Sequence, residues 1–318
     1  MPRAQVLGAV RASGHIECGV VQGVDDWNGE DLHGDLSAFE GEICRAVAAA
    51  ILGDAGAAEI HGFPGELEAL KGLQSGSVQL AVGVSPTTSA AMQLGIAFGR
   101  PIYYDSQRIL VAKQSGIRDL EGLRGKLICA RSLTPPEQTL HDELAARGIP
   151  FALMTHSEQG EMDAAVAVIR CQAGTGMETR LAQSRANFHA RVSDFTFLPD
   201  RWALSPMVTA ARFGDQAFSL AVDDTVDALI EAEALGITRA NVAEAARRED
   251  LAADQLLGHD FAIAGALGLA RDWAVKVIAA TGNYGEVFDH TVGQPLRLDR
   301  GLNALWTRGG LMAPAPMR

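Results

Sequence analysis

The feature that most constrains this chain is an alternation that runs through its first 84 residues. Three short apolar runs, HIECGVV (15–21), AEIHGF (58–63) and VQLAVGV (78–84), are separated by two stretches of helical periodicity. In the first of these, Phe39, Ile43, Val47 and Ile51 fall every fourth residue and share one face, and Gly53 and Asp54 stop the helix. The second, GELEALKGLQSG, ends at a glycine. Strand, helix and strand in this order predict a mainly parallel sheet covered by helices, because parallel neighbours need a crossover long enough to hold a helix. Folds of this kind take ligands beyond the C-terminal ends of their strands. The loops after residues 15–21 and 78–84 are therefore the first candidates for a site.

The pattern restarts further on. Tyr103 to Ala112 holds a strand, Gln107–Val111 within it reading as a crossing segment. A turn or short helix spans Ile117–Leu123, and a strand covers Lys126–Ala130. Pro135 and Pro136 open a helix that reaches about Arg147, as proline is tolerated in a first turn. FALMTH reads as a strand, and GEMDAAVAVIR as a helix broken near Cys171 to Gly176. Phe188 to Leu198 holds one or two short strands, and Leu204 to Ala211 a return crossing. In FSLAVDDTVDALIEAEALG, Phe218, Val222, Val226 and Ile230 repeat every four residues, the clearest helix of the chain. A further helix follows in ITRANVAEAARR, with Thr238 as its expected cap, and short helices in the segments from Asp272 onward.

Composition excludes several classes of function. The 318 residues are 47% hydrophobic and 21% charged, a globular balance with room for two domains. The net charge of -12, with no basic stripe, argues against nucleic acid and anionic lipid as partners. No run of 18 apolar residues is present, so no integral membrane protein is expected. The first ten residues lack the apolar run of an export signal. The expectation is a cytoplasmic protein, or a periplasmic one whose export segment lies upstream of this sequence. No cofactor motif is found. His141, His156 and His189 are too scattered for a metal site, and there is no nucleophile elbow, phosphate loop or zincin motif. The cysteines Cys18, Cys44, Cys129 and Cys171 form no CxxC pattern, and their spacing leaves open four buried thiols or two disulfides.

A resemblance narrows this. CGV (18–20), FEGEICRAVAAAILGD (39–54), LQSGSVQLAVG (73–83), ALGITRANVAEA (234–245), NYGEVFDHTVG (283–293) and GLNALWTRGGL (301–311) resemble, in this order, the polar amino-acid-binding proteins of ABC importers. The likeness is to the general L-amino-acid-binding subgroup and runs from about Val6 to Arg318. It implies a two-lobed α/β periplasmic-binding-protein-like fold of type II with two crossing hinge strands. Lobe 1 would be discontinuous, 1–109 plus 207–318, and lobe 2 would be 110–206, with hinges near Arg108–Ala112 and Leu204–Thr209. It implies a monomer that binds a small polar solute between the lobes, closes on it and delivers it to an ABC permease. It also implies pairing of the cysteines within each lobe, Cys18 with Cys44 and Cys129 with Cys171.

An amino acid needs a partner for its carboxylate and for its ammonium, since an unpaired buried charge is costly. Where such proteins carry the carboxylate-binding arginine, this sequence has Ala90; where they carry the ammonium-binding aspartate, it has Met177, with Glu178 adjacent. The small-residue loop that offers backbone donors matches Arg131, Ser132, Leu133, Thr134, Pro135 and Pro136, in which the prolines cannot donate and Leu133 replaces a glycine. Arg131 either supplies a displaced positive charge or faces solvent; Thr134 is a further ligand candidate. Trp27 is an aromatic cleft wall or a loop residue, and Asp25 beside it attracts a cationic solute or lies in a solvated acidic loop. Ser85, Thr87 and Thr88 offer hydroxyls at a strand end or simply make its turn, and Thr175 is the last candidate. A standard zwitterionic amino acid is thus a poor default solute; one lacking a charge, or a larger planar metabolite, fits better. Two other functions stay open: a lyase or dehydratase using Glu178, His156 or Asp25 as acid or base, and a sensor or scaffold.

Overall fold

The computed structural model describes residues 6–22, 36–188, 193–247, 251–257, 264–265 and 268–315. Asp25, Asp26, Trp27 and His189 lie outside these. The chain divides into two compact α/β units: unit 1 is Met1–Tyr104, Pro206–Gln294 and Asp299–Arg318, and unit 2 is Asp105–Ser205 with Pro295–Leu298.

Unit 1 is built on parallel strands β1 (Ile16–Val21), β2 (Ala58–Phe63) and β3 (Leu80–Val84), in the order β2-β1-β3. The alternation seen in the sequence produces this sheet: helix α2 (Leu36–Leu52) crosses from β1 to β2, and α3 (Glu66–Ser75), closed by Gly76 in the left-handed conformation, crosses from β2 to β3. α2 is buried along most of its length, and its Cys44 is bonded to Cys18 of β1, so the alternative of free thiols there falls. The end of β9 (Trp202–Arg212) runs antiparallel to β3, from Leu80 opposite Ala211 to Val84 opposite Val208. The long helix expected after residue 215 is α8 (Gln216–Ala234), capped by the Asp215 side chain.

The NYGE segment is a capping box: the Asn283 side chain accepts from the Glu286 backbone, and the Glu286 side chain accepts from the backbone of Asn283. It starts the helix that carries Tyr284 and Phe288 into an aromatic cluster with Phe39 and Tyr103. The buried Tyr284 hydroxyl donates to the Ile102 carbonyl at 2.9 Å, which satisfies that polar atom inside the cluster.

Unit 2 uses the part of β4 (Ile96–Ala112) from Asp105 on, with β5 (Leu127–Arg131), β6 (Ala152–His156), β7 (Ala173–Met177) and the short β8 (Phe195–Phe197). The second half of β4 pairs antiparallel with β7 and β8; β7, β5 and β6 follow in parallel order. Helices α5 (Pro135–Ala146), α6 (Gln159–Ala167) and α7 (Glu178–Ala186) cover the sheet. One cluster, with Ile109, Leu123, Ile128, Leu140 and Leu144, fills one face; another, with Leu110, Met162, Val166 and Leu181, fills the other and encloses the Cys129–Cys171 disulfide.

Four local expectations are corrected. The segment Cys171 to Gly176 does not merely break a helix: residues 173–177 are a central strand, whose glycines hide it until β4 and β5 pair with it on both sides. The preceding helix ends at Ala167, and Ile169 turns with φ 59°. β4 begins at Ile96 rather than at Tyr103, in spite of Pro101. Thr238 does not cap the next helix; Asn241 is the cap residue of a single turn, Val242–Ala245, and its side chain accepts from the Thr238 backbone. Among the described residues, no helix is long and apolar enough to cross a membrane.

Candidate functional site

In unit 1 the C-terminal ends of β1 and β3 meet two carboxylates that the sequence reading did not single out. Glu40 of α2 is buried, accepts from the Val21 backbone at 2.9 Å and lies against Gly83. Gly83 has φ +81° at an irregularity in the β3–β9 pairing, and a Cβ there would strike the Glu40 side chain, so glycine is required. A signal for Glu40 did exist: it falls beside Ile43 and Phe39 on the apolar stripe of α2, where a carboxylate is out of place. Glu66, in the first turn of α3, takes both the Ser85 backbone N–H and the Ser85 hydroxyl, each at 2.9 Å. Ser85 therefore belongs to a fixed strand end.

Thr87 and Thr88 follow on the exposed loop into α4 (Thr88–Leu94). The Thr87 hydroxyl accepts from the Ala90 backbone at 3.3 Å, which is a helix cap and serves the turn. Thr88 is exposed. Ala90 packs against the apolar cluster of Leu73, Val84 and Ile96, and the run Ser85–Leu94 contains no lysine or arginine.

In unit 2 the loop after β5 is shaped by the residues the sequence marked. Leu133 sits at φ 59° with its side chain almost wholly exposed, the left-handed conformation in which glycine is unstrained. Its backbone N–H donates to Glu137 at 2.6 Å, and the Thr134 hydroxyl donates to the Arg131 carbonyl at 2.8 Å. Thr134 thus closes the turn, and Pro135 and Pro136 bring no N–H to the start of α5. Arg131 ends β5 with an exposed side chain. Leu133→Gly is expected to stabilise the protein by about 0.5–1 kcal/mol, the steric cost of a left-handed leucine less the entropy of glycine, as read by urea unfolding.

Thr175 lies inside unit 2 on β7. Its hydroxyl donates to the Arg108 carbonyl at 3.2 Å and accepts from Gln107 at 2.9 Å. Both hydroxyl roles are thereby filled by the sheet. Met177 ends β7, and Glu178 begins α7 between two arginines. Arg108 and Arg201 both bond its carboxylate, Arg201 Nη2 at 3.1 Å from Oε1; Arg201 also donates to the Ser106 hydroxyl at 3.0 Å. Arg108 donates to the Leu198 carbonyl and stacks 5.0 Å from the Phe197 ring. Burial lowers its affinity for its proton, and the Glu178 charge opposes that. His156, a candidate acid or base, stands 3.5 Å from the Cys129 sulfur of the disulfide.

Asp105, the buried first residue of unit 2, accepts from the Ser106 and Thr179 backbones. Burial pushes its carboxyl up to about 6, with the Glu178 charge adding and the hydrogen bonds opposing. The folded state then holds a proton that the unfolded chain releases near the ordinary aspartate value, so between about pH 4 and 6 lowering the pH favours folding. Asp105→Asn, which keeps an acceptor without the charge, is expected to flatten the dependence of unfolding free energy on pH across about pH 4–6. It should raise stability at pH 7.5 by about 1–2 kcal/mol.

Comparison with known proteins agrees with this architecture. No family model matches the chain. It is 33% identical to the general L-amino acid-binding periplasmic protein AapJ of Rhizobium johnstonii over 321 residues, covering 99% of this chain and 93% of that protein. It is 34% identical to the glutamate/glutamine/aspartate/asparagine-binding protein BztA of Rhodobacter capsulatus over 319 residues, covering 99% and 94%. Among solved structures, an ABC transporter/periplasmic binding protein from Brucella ovis with glutathione bound matches at TM-score 0.81 and 32% identity, covering 99% of this chain and 100% of that one. These relatives are named as binding proteins, and the lyase or dehydratase alternative finds no support in them.

Proposed function

We propose, because the chain belongs to the periplasmic amino-acid-binding proteins of ABC transporters, that it is an importer's solute-binding component acting in the periplasm, and that its solute is an amino-acid derivative or short polar peptide rather than a free α-amino acid. The observation that carries the second half is Ala90. It stands where the family resemblance puts a carboxylate-binding arginine, its methyl group lies against an apolar cluster, and no cation occurs between Ser85 and Leu94. An α-carboxylate desolvated against that loop would be left unpaired, at a cost of several kcal/mol. Unit 1 instead presents fixed hydroxyl and carboxylate groups, Ser85 with Glu66. Among the solute candidates, the positively charged residue is Arg131, exposed at the end of β5 in unit 2. Asp25 and Trp27 remain assigned to the solute from the sequence alone. The relative that holds glutathione makes peptides of that size a natural first class to try.

Proton NMR of the protein in a mixed pool of amino acids, their derivatives and di- and tripeptides tests this. Selective broadening of derivative or peptide signals, with no new peaks, is the expected result. Broadening confined to free amino acids overturns the solute class, and conversion of one compound into another overturns the binding role.

A further inference from the structure

The N-terminal ends of β1 and β2 carry a group of side chains that solute binding does not use. The two strands run parallel in a register that sets Glu17 beside Glu59 and Gly19 beside His61. Strand periodicity puts Glu17, Glu59 and His61 on one face, and His15, two residues before Glu17, joins them. The other face of β1 carries Ile16 and the disulfide-bonded Cys18 into the core. The group sits at the opposite end of the strands from Ser85 and Glu40, hence away from the solute candidates of unit 1.

Glu17 is the centre of the group. Its backbone is fixed on both sides by Gln79, whose side chain accepts from the Glu17 N–H at 2.7 Å and whose N–H donates to the Glu17 carbonyl at 2.9 Å. His15 Nε2 lies 3.3 Å from Glu17 Oε1, and His61 Nε2 contacts Oε2. One donor atom each from His15, Glu17 and Glu59 lie within 4.8 Å of one another. Small rotations bring such atoms to the separations of about 3.3 Å that ligands at roughly 2.0–2.2 Å from a tetrahedral ion require.

We propose that His15, Glu17 and Glu59 form a site for a borderline divalent cation of the zinc type, with His61 holding the second oxygen of Glu17. The donor set selects this class. Imidazole nitrogen suits zinc, copper, nickel and cobalt, whereas calcium and magnesium favour all-oxygen shells. The two carboxylates balance the ion's charge, a fourth position stays open to water, and His61 supplies the outer hydrogen bond that orients a ligating carboxylate. Because Glu59 and His61 come from the edge strand and Glu17 from its neighbour, a bound ion ties β2 to β1.

Calorimetric titration of tag-free protein with Zn²⁺ tests this. Saturable binding of one ion per chain is expected, with visible absorption of a tetrahedral site when Co²⁺ is used in its place. His15→Ala and Glu59→Gln should each weaken Zn²⁺ binding at least tenfold. Their metal-free far-UV spectra and melting points should match the parent, since these side chains are exposed or half-buried. His141→Ala, at an exposed histidine–aspartate pair in unit 2, should change nothing. Absence of saturable binding, or binding that His15→Ala and Glu59→Gln leave intact, overturns the proposal. So does a loss as large in His141→Ala, which would make zinc a general ligand of surface histidines.

Discussion

Glu178→Ala is expected to cost about 3–5 kcal/mol of stability, because it leaves two arginines inside unit 2 without their carboxylate. Arg108 is the more severe case. Its side chain is only 11% exposed, and its guanidinium is held between the Leu198 carbonyl and the Phe197 ring, contacts it would have to break to reach water. Arg201 is 26% exposed and can turn outward. Arg201→Ala should therefore cost much less than Glu178→Ala, about 1–2 kcal/mol, since Glu178 then keeps Arg108. Urea unfolding of the two variants checks the order. If Glu178→Ala and Arg201→Ala lie within 0.5 kcal/mol of each other, the bridge is not centred on Glu178.

Removing the Cys129–Cys171 bond by a double serine substitution is expected to cost about 4 kcal/mol on the chain-entropy account of a loop with a sequence separation of 42. The Cys18–Cys44 bond, with a separation of 26, should be worth slightly less, about 3.5 kcal/mol. Each bond lies within one unit. The two losses should therefore fall on different parts of a thermal unfolding profile, and a reductant should reproduce both together. Melting that is indifferent to reductant, with the thiols shown to be free, would contradict the account.

These two groups of residues differ in how far the sequence disclosed them. The cysteine pairs were open on spacing alone, and only the family resemblance favoured pairing, which the structure bears out. The Glu178 bridge was invisible, because its partners are 70 and 23 residues away and nothing in the spacing of the three residues links them. The first unit was legible almost strand by strand because its apolar runs and helical stripes do not overlap. The AGTGM strand of unit 2 was not, since two glycines and an alanine say little until both neighbours pair with them. Leu133 shows the converse. A leucine in a glycine's place was readable as a substitution, and the positive φ that makes it costly is a property of the turn that the Thr134 hydroxyl and Glu137 close around it.

The central claim is that this is a binding protein whose site no longer suits a free α-amino acid. Calorimetric titration with the α-amides of L-glutamate and L-glutamine, which lack the α-carboxylate, and, separately, with the two free amino acids tests it most directly. One-to-one binding of an amide is expected, with at least 100-fold weaker binding of the matching free amino acid, the 2.7 kcal/mol or so that an unpaired carboxylate takes away. Free amino acids that bind as tightly as their amides, or more tightly, would contradict it.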